Sequence, residues 1–239
     1  VRTALIAAGF LVACSGLAQT SELTAEEVIE KSIEATGGRT AMEKITSTVA
    51  KGTMEMPAQG MRSTMEFYAK APNKRLIVMK IEGMGEILQG FDGTSAWAVT
   101  PGGPMEITGD QLEETRRDST FNAELKWKEL YPKAELKGKE KVGERDTYVI
   151  ELTPKDGKVV KRFYDTQTFL LVRAIMNRTT PQGPVDITAD FSDYREVGGG
   201  VKAPFSLKQS MAMGDIVMTF TEMKNNVEID DAKFSKPAK

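Results

Sequence analysis

The sequence predicts a mainly β (α+β) protein: an open antiparallel β half-barrel of about ten to twelve strands, with helices covering a concave apolar face. Three observations predict it. From Thr48 onward, apolar and polar residues alternate with period two in runs closed by tight-turn residues. Helix signals are confined to the start of the mature chain and to one insertion between strands. Several strands keep their apolar residues on one face, so the sheet must cover or enclose something.

The totals bound the function. The chain has 239 residues, 40% hydrophobic and 28% charged, the balance of a globular protein. No linker or change of composition divides residues 19–239, which read as a single domain. Net charge is −2 with Lys and Arg dispersed, so no nucleic-acid partner is expected. Histidine is absent, which removes the commonest general base and most zinc and non-haem iron sites. The one cysteine, Cys14, excludes an internal disulfide or a thiolate metal site. There is no phosphate loop, dinucleotide fingerprint, nucleophile elbow or metalloprotease helix. Gly198-Gly199-Gly200 lacks a following Lys-Ser/Thr and a helix, and reads as a turn; Glu113-Glu114 and Asp230-Asp231 read as solvated charges. The expectation is a non-catalytic protein with no cofactor and no metal.

Residues 1–18 read as an export signal. Arg2 precedes an apolar run from Ala4 to Ala13, too short to span a bilayer stably, and polar sequence starts at Gln19. Two cleavage sites fit. Gly16-Leu17-Ala18 offers small residues for ordinary processing, leaving a free periplasmic protein. Leu11-Val12-Ala13-Cys14 has the form of a bacterial lipobox, in which Cys14 is lipidated and tethers the domain to a membrane.

The elements follow in order. Thr24 and Glu27 form a capping box, with Leu23 and Val28 as a hydrophobic staple and Val28, Ile29 and Ile33 as the apolar stripe. Gly37-Gly38 ends that helix, and a shorter one runs through Ala41, Met42 and Ile45. Strands come next. In one, Met65, Phe67 and Ala69 share a face opposite Thr64, Glu66 and Tyr68. Asp92-Gly93 signals a hairpin, and Pro101-Gly102-Gly103-Pro104 a turn. Asp110 and Glu113 can cap a short helix through Arg117, and Phe121–Leu130 also reads as helical. Strands then resume to Lys224, with turns at Lys155-Asp156-Gly157 and Pro181-Gln182-Gly183-Pro184.

Methionine is the informative residue. Nearly all of the 13 fall on predicted strands, where β-branched and aromatic residues are usual. Methionine is flexible and polarisable, and suits surfaces that accommodate varied apolar ligands. The expected groove is lined by Met54, Met56, Met65, Phe67, Ile77, Met79, Trp97, Ile150, Leu152, Phe163, Met218 and Phe220. The segment 110–130 is expected to lie over its mouth as a lid, with Leu112, Phe121, Leu125 and Trp127 facing inward.

Several segments resemble one family in order and spacing. They are Ala35-Thr36-Gly37-Gly38, the run Phe67 to Lys74 with its Pro72-Asn73 turn, Phe91-Asp92-Gly93 followed by Trp97, Tyr148 to Pro154, Phe191 to Tyr194, and Val227 to Phe234. Together they resemble the LolA/LolB-like periplasmic lipoprotein carriers, of the outer-membrane lipoprotein-sorting type. The resemblance implies an incomplete β-barrel that shields lipid or lipoprotein acyl chains and exchanges them with inner- or outer-membrane partner proteins. It implies an inward Arg that latches a lid, for which Arg75 is the positional candidate. A sibling use of the fold, in RseB-like regulators, implies the alternative of an envelope lipid sensor.

Overall fold

The computed structural model describes residues 23–180 and 183–237; the expected export signal and Cys14 lie outside them. Helix α1 (Ala25–Ala35) starts on the capping box. The Thr24 hydroxyl accepts from the Glu27 N–H at 3.2 Å, and the Glu27 carboxylate accepts from the Thr24 N–H at 2.7 Å. Two orphaned groups at the helix start are thereby satisfied. Leu23 and Val28 join the core beneath. Gly37 and Gly38, at φ 123° and 82°, end the helix, and a Cβ on Gly37 would lie 2.6 Å from the Gly200 carbonyl oxygen. The short α2 (Arg39–Glu43) follows.

The first strands are β1 (Ser47–Met56), β2 (Met61–Lys70), β3 (Lys74–Ile81), β4 (Gly85–Phe91), β5 (Ala96–Thr100) and β6 (Gly103–Ile107). The insertion holds α3 (Gly109–Asp118), a 3-10 turn at Ala123–Lys126 and α4 (Trp127–Leu130). The rest are β7 (Lys133–Val142), β8 (Arg145–Thr153), β9 (Val160–Asp165), β10 (Leu171–Thr180), β11 (Gly183–Glu196), β12 (Lys202–Met211) and β13 (Gly214–Asn225). All 13 form one open antiparallel sheet in the order β6-β5-β4-β3-β2-β1-β13-β12-β11-β10-β9-β8-β7. The long-range pair β1·β13 joins the two runs of hairpins.

The strand beyond the expected range is β6. Its Pro104 lies in a segment expected to be a turn, and proline cannot donate to a ladder. The sheet tolerates it because β6 is an edge strand. Asp110 does not cap α3. The N-cap is Thr108, without a side-chain cap bond, and the Asp110 carboxylate accepts from the Lys158 ammonium at 3.2 Å instead.

The sheet must curl. Strands β5 and β10 stand eight positions apart, about 38 Å along a flat sheet at ~4.8 Å per strand. Yet the 10-residue α3, ~15 Å long, touches both. The face that α3 bridges is therefore concave.

Each face carries its own packing. On the concave side, Val28, Ile29 and Ile33 of α1 bury Ile150, Leu152 and Tyr164 together with Trp127 and Tyr131. On the convex side, Leu76, Val78 and Trp97 pack against Ile229 and Phe234 of the C-terminal segment. The Trp97 indole N–H donates to the Phe234 carbonyl at 3.0 Å in a buried setting. Gly90 makes room for that indole, since a Cβ there would lie 2.3 Å from the ring. Lys70 and Lys74, each 2.7 Å from Asp231, fasten the same segment and hold its carboxyl down at about 2. Among the described residues no helix is long and apolar enough to cross a membrane, and no group of three acidic, His or Cys residues could hold a metal.

Candidate functional site

Strand register builds the concave face row by row. Phe220, Gly52, Met65, Met79 and Ile87 stand opposite one another across β13, β1, β2, β3 and β4. A parallel row runs Met223, Ala50, Phe67, Ile77, Gln89, Ala98 and Met105. Leu207, Met218 and Met54 extend the face the other way. The pairings place every described strand methionine on this one face: Met54, Met56, Met61, Met65, Met79, Met105, Met176, Met211, Met218 and Met223. Gly52 serves the row by close approach, since a Cβ there would lie 2.2 Å from the Thr219 carbonyl oxygen.

Met54 and Met65 are buried, while Met56, Phe67, Ile77, Met79, Met218 and Phe220 stay partly exposed. Among the described residues, these side chains join none of the four hydrophobic clusters. Apart from the buried Met54 and Met65, they form a partly exposed apolar surface beside those clusters.

Of the groove residues expected from sequence, the sheet brings eight to this surface: Met54, Met56, Met65, Phe67, Ile77, Met79, Met218 and Phe220. Ile150 and Leu152 share the face but are fully covered by α1, and so serve as core. Trp97 and Phe163 correct the expectation. Trp97 stands opposite Gly90 on the convex face, and Phe163 packs there with Val149 and Val172. An aromatic side chain on an alternating strand is buried equally well on either face of a sheet covered on both.

The insertion also differs from the expected lid. Trp127 is buried in the core under α1, its indole donating to Glu30 at 3.1 Å, and Leu125 packs against the same core. Phe121 packs with Ile45 and Val201. Leu112 is partly exposed on α3. Only α3 spans the concavity, and its one buried residue is Glu114.

Polar bonds hold α3 in place. The Glu114 carboxylate accepts from the Lys158 ammonium at 2.8 Å, the Thr179 hydroxyl at 2.8 Å and the Thr179 N–H at 3.1 Å. Burial pushes this carboxyl up, but Lys158 and Thr179 outweigh it and hold it below its ordinary value. Asp118 pairs with Arg178 at 2.9 Å and Arg117 with Asp156 at 2.7 Å, and Gln111 donates to the Thr179 carbonyl at 3.1 Å. Glu114 thus overturns its reading as a solvated charge. The legible signal was the i, i+4 spacing of Asp110, Glu114 and Asp118, which puts three carboxylates on one helix face.

Beneath α3 lies a cavity of about 340 Å³, lined by Arg75, Gln89, Phe91, Met105, Ile107, Gln111, Glu114, Thr115, Asp118, Ser119, Arg178 and Thr179 among others. A second, of about 220 Å³, adjoins it through Arg75, Asp118 and Ser119 and reaches Phe67 and Ala69. Arg75 points inward, its guanidinium 5.6 Å from the Phe67 ring centroid. Burial and the nearby Arg178 lower its pKa, with Asp118 opposing. The arrangement can take up an apolar chain along the methionine face and offers polar groups at one end.

No family model matches the sequence, and no curated protein matches it. Solved structures do. A DUF1329 family protein from Desulfovibrio piger superposes with TM-score 0.62 at 15% identity, covering 88% of this chain and 97% of that one. A LolA superfamily protein from Nitrosomonas europaea superposes with TM-score 0.59 at 16% identity, covering 90% and 99%. A domain assigned to outer membrane lipoprotein sorting, from Vibrio parahaemolyticus, gives TM-score 0.59 at 14% identity, covering 88% and 97%. The chain has the LolA-like fold.

Proposed function

We propose that this protein binds acyl chains in the groove between its methionine face and α3, and carries them as an exported lipid or lipoprotein carrier. One observation supports it above the rest: the strand methionines all lie on one face, and much of that face is left open beside a separate, well-packed core. Taking an acyl chain out of water is favourable by about 0.8 kcal/mol per CH₂, so a dry groove suffices to hold one. Methionine, with three rotatable bonds, lets the same groove adapt to different chains. Release requires α3 to move, and polar contacts hold it more than apolar ones. The lipoprotein-sorting name of the Vibrio relative agrees with this role. Residues 1–18 would direct export, ending in a free protein or one anchored through Cys14.

The test is titration with a fluorescent C16 fatty-acid analogue, beside native mass spectrometry of protein from its own periplasm. The protein should bind the analogue, and Met79→Gln with Phe220→Gln should weaken binding at least several-fold without altering the far-UV spectrum. A folded protein that neither binds the analogue nor retains lipid would refute the proposal.

A further inference from the structure

The cavity under α3 holds an arginine without an ion pair. Its lining holds two guanidinium groups and two carboxylates. Asp118 is engaged by Arg178 at 2.9 Å and Glu114 by Lys158 at 2.8 Å. Arg75 remains. Among the described residues no carboxylate lies within ion-pairing distance of it; its guanidinium packs on the Phe67 ring, and Asp118 acts on it only at longer range. Guanidinium offers five N–H donors in a planar fork suited to a carboxylate or phosphate. A second orphan stands in the same place. Ser119 is only 3% exposed, its Oγ has no hydrogen-bond partner, and it lines both adjoining cavities with Arg75. Buried polar groups without partners are uncommon and call for an explanation.

The position of these groups relative to the apolar face decides what they could serve. Arg75, Ile77, Met79 and Ile81 are alternate residues on the concave side of β3, so the guanidinium stands at one end of an apolar track, Ile77 to Ile81, ~14 Å long at ~3.4 Å per residue. We infer that Arg75 and Ser119 form a seat for the acid group of an amphiphile, and that the groove's ligand is an anionic acyl compound whose carboxylate or phosphate rests there while its chain runs along β3. The inference rests on the groove reading above and narrows it to a ligand class. Arg178 stands next to the seat and is already paired with Asp118, which leaves the Arg75 guanidinium to engage the acid group.

The test displaces an uncharged fluorescent apolar probe with three ligands of equal chain length: dodecanoate, dodecyl phosphate and methyl dodecanoate. At least one acid should compete about tenfold or more better than the ester, as expected for a charge-assisted hydrogen bond in a sheltered site. Arg75→Gln should erase that preference by lowering the acids' affinity far more than the ester's, with far-UV circular dichroism confirming the fold. Ser119→Ala, which removes no existing bond, should weaken the acids a few-fold and spare the ester. If Arg75→Gln does not fold, Arg75→Lys and Ser119→Ala carry the test, and both must lower acid affinity alone. Equal binding of acids and ester, or an acid preference that survives these substitutions, overturns the seat and leaves the groove standing. Failure of all three ligands to displace the probe overturns the groove reading as well. The stronger of the two acids identifies the headgroup.

Discussion

Removing the Glu114 carboxylate should release α3 while leaving the sheet intact. Glu114→Ala deletes three bonds at once, to the Lys158 ammonium, the Thr179 hydroxyl and the Thr179 N–H. Hydrogen bonds to charged groups contribute about 1.5–3 kcal/mol each, but three sharing one carboxylate do not add. Lys158 is partly exposed and regains water, which lowers the cost further. A net loss of about 3 kcal/mol for the closed position of α3 follows, on the order of a hundredfold in its opening equilibrium. Amide hydrogen exchange reads this directly. Protection across Gly109–Asp118 should fall by that factor, while β1, β2 and β13 keep theirs. Unchanged exchange in α3 would refute the polar clasp. Equal loss across the whole sheet would show that Glu114 supports global stability instead.

Acid should act in the same way. The carboxyls of Glu114 and Asp156 are held below their ordinary values by Lys158 and Thr179, and by Arg117, against the upward push of burial. Their contribution is complete above the unfolded carboxylate pKa of about 4 and is lost as pH falls through the lower folded values, so α3 exchange should accelerate below that point before the sheet unfolds. Trp97→Phe should lower thermal stability by about 1–3 kcal/mol by orphaning the buried Phe234 carbonyl, with acyl-probe affinity unchanged; an affinity loss in a folded variant would place Trp97 in the groove after all. Trp127→Ala should cost about 3–5 kcal/mol, measured by urea unfolding, because the side chain is core under α1; a cost below 1 kcal/mol would return it to a mobile lid.

Local chemistry was legible in the residues themselves. Thr24 with Glu27 and the Gly37-Gly38 stop set the bounds of α1, because capping and positive φ depend on neighbours in sequence. Alternation placed Met65, Phe67 and Ala69 on one face of β2, and the register confirms it. The unusual number of methionines pointed to the face that the ten described strand methionines share. Period two, however, says only that alternate residues share a side; it does not say which side is concave. Trp97 fell on the convex side, where the C-terminal segment covers it, and Phe163 on the same side, packed among its strand neighbours Val149 and Val172. Burial of Glu114 depended on Lys158 and Thr179, 44 and 65 residues away, and no local pattern brings them together. Arg75 stands in the same way: its strand position could be read from alternation, but its unpaired state depends on α3 delivering Asp118 to Arg178 across the curl of the sheet. Sequence thus determined most of the elements and which alternate residues share a face, because both arise from contacts a few residues apart. The tertiary structure alone decided which face became the groove and which charges it enclosed, because curvature and long-range ion pairing arise only when distant strands close around α3.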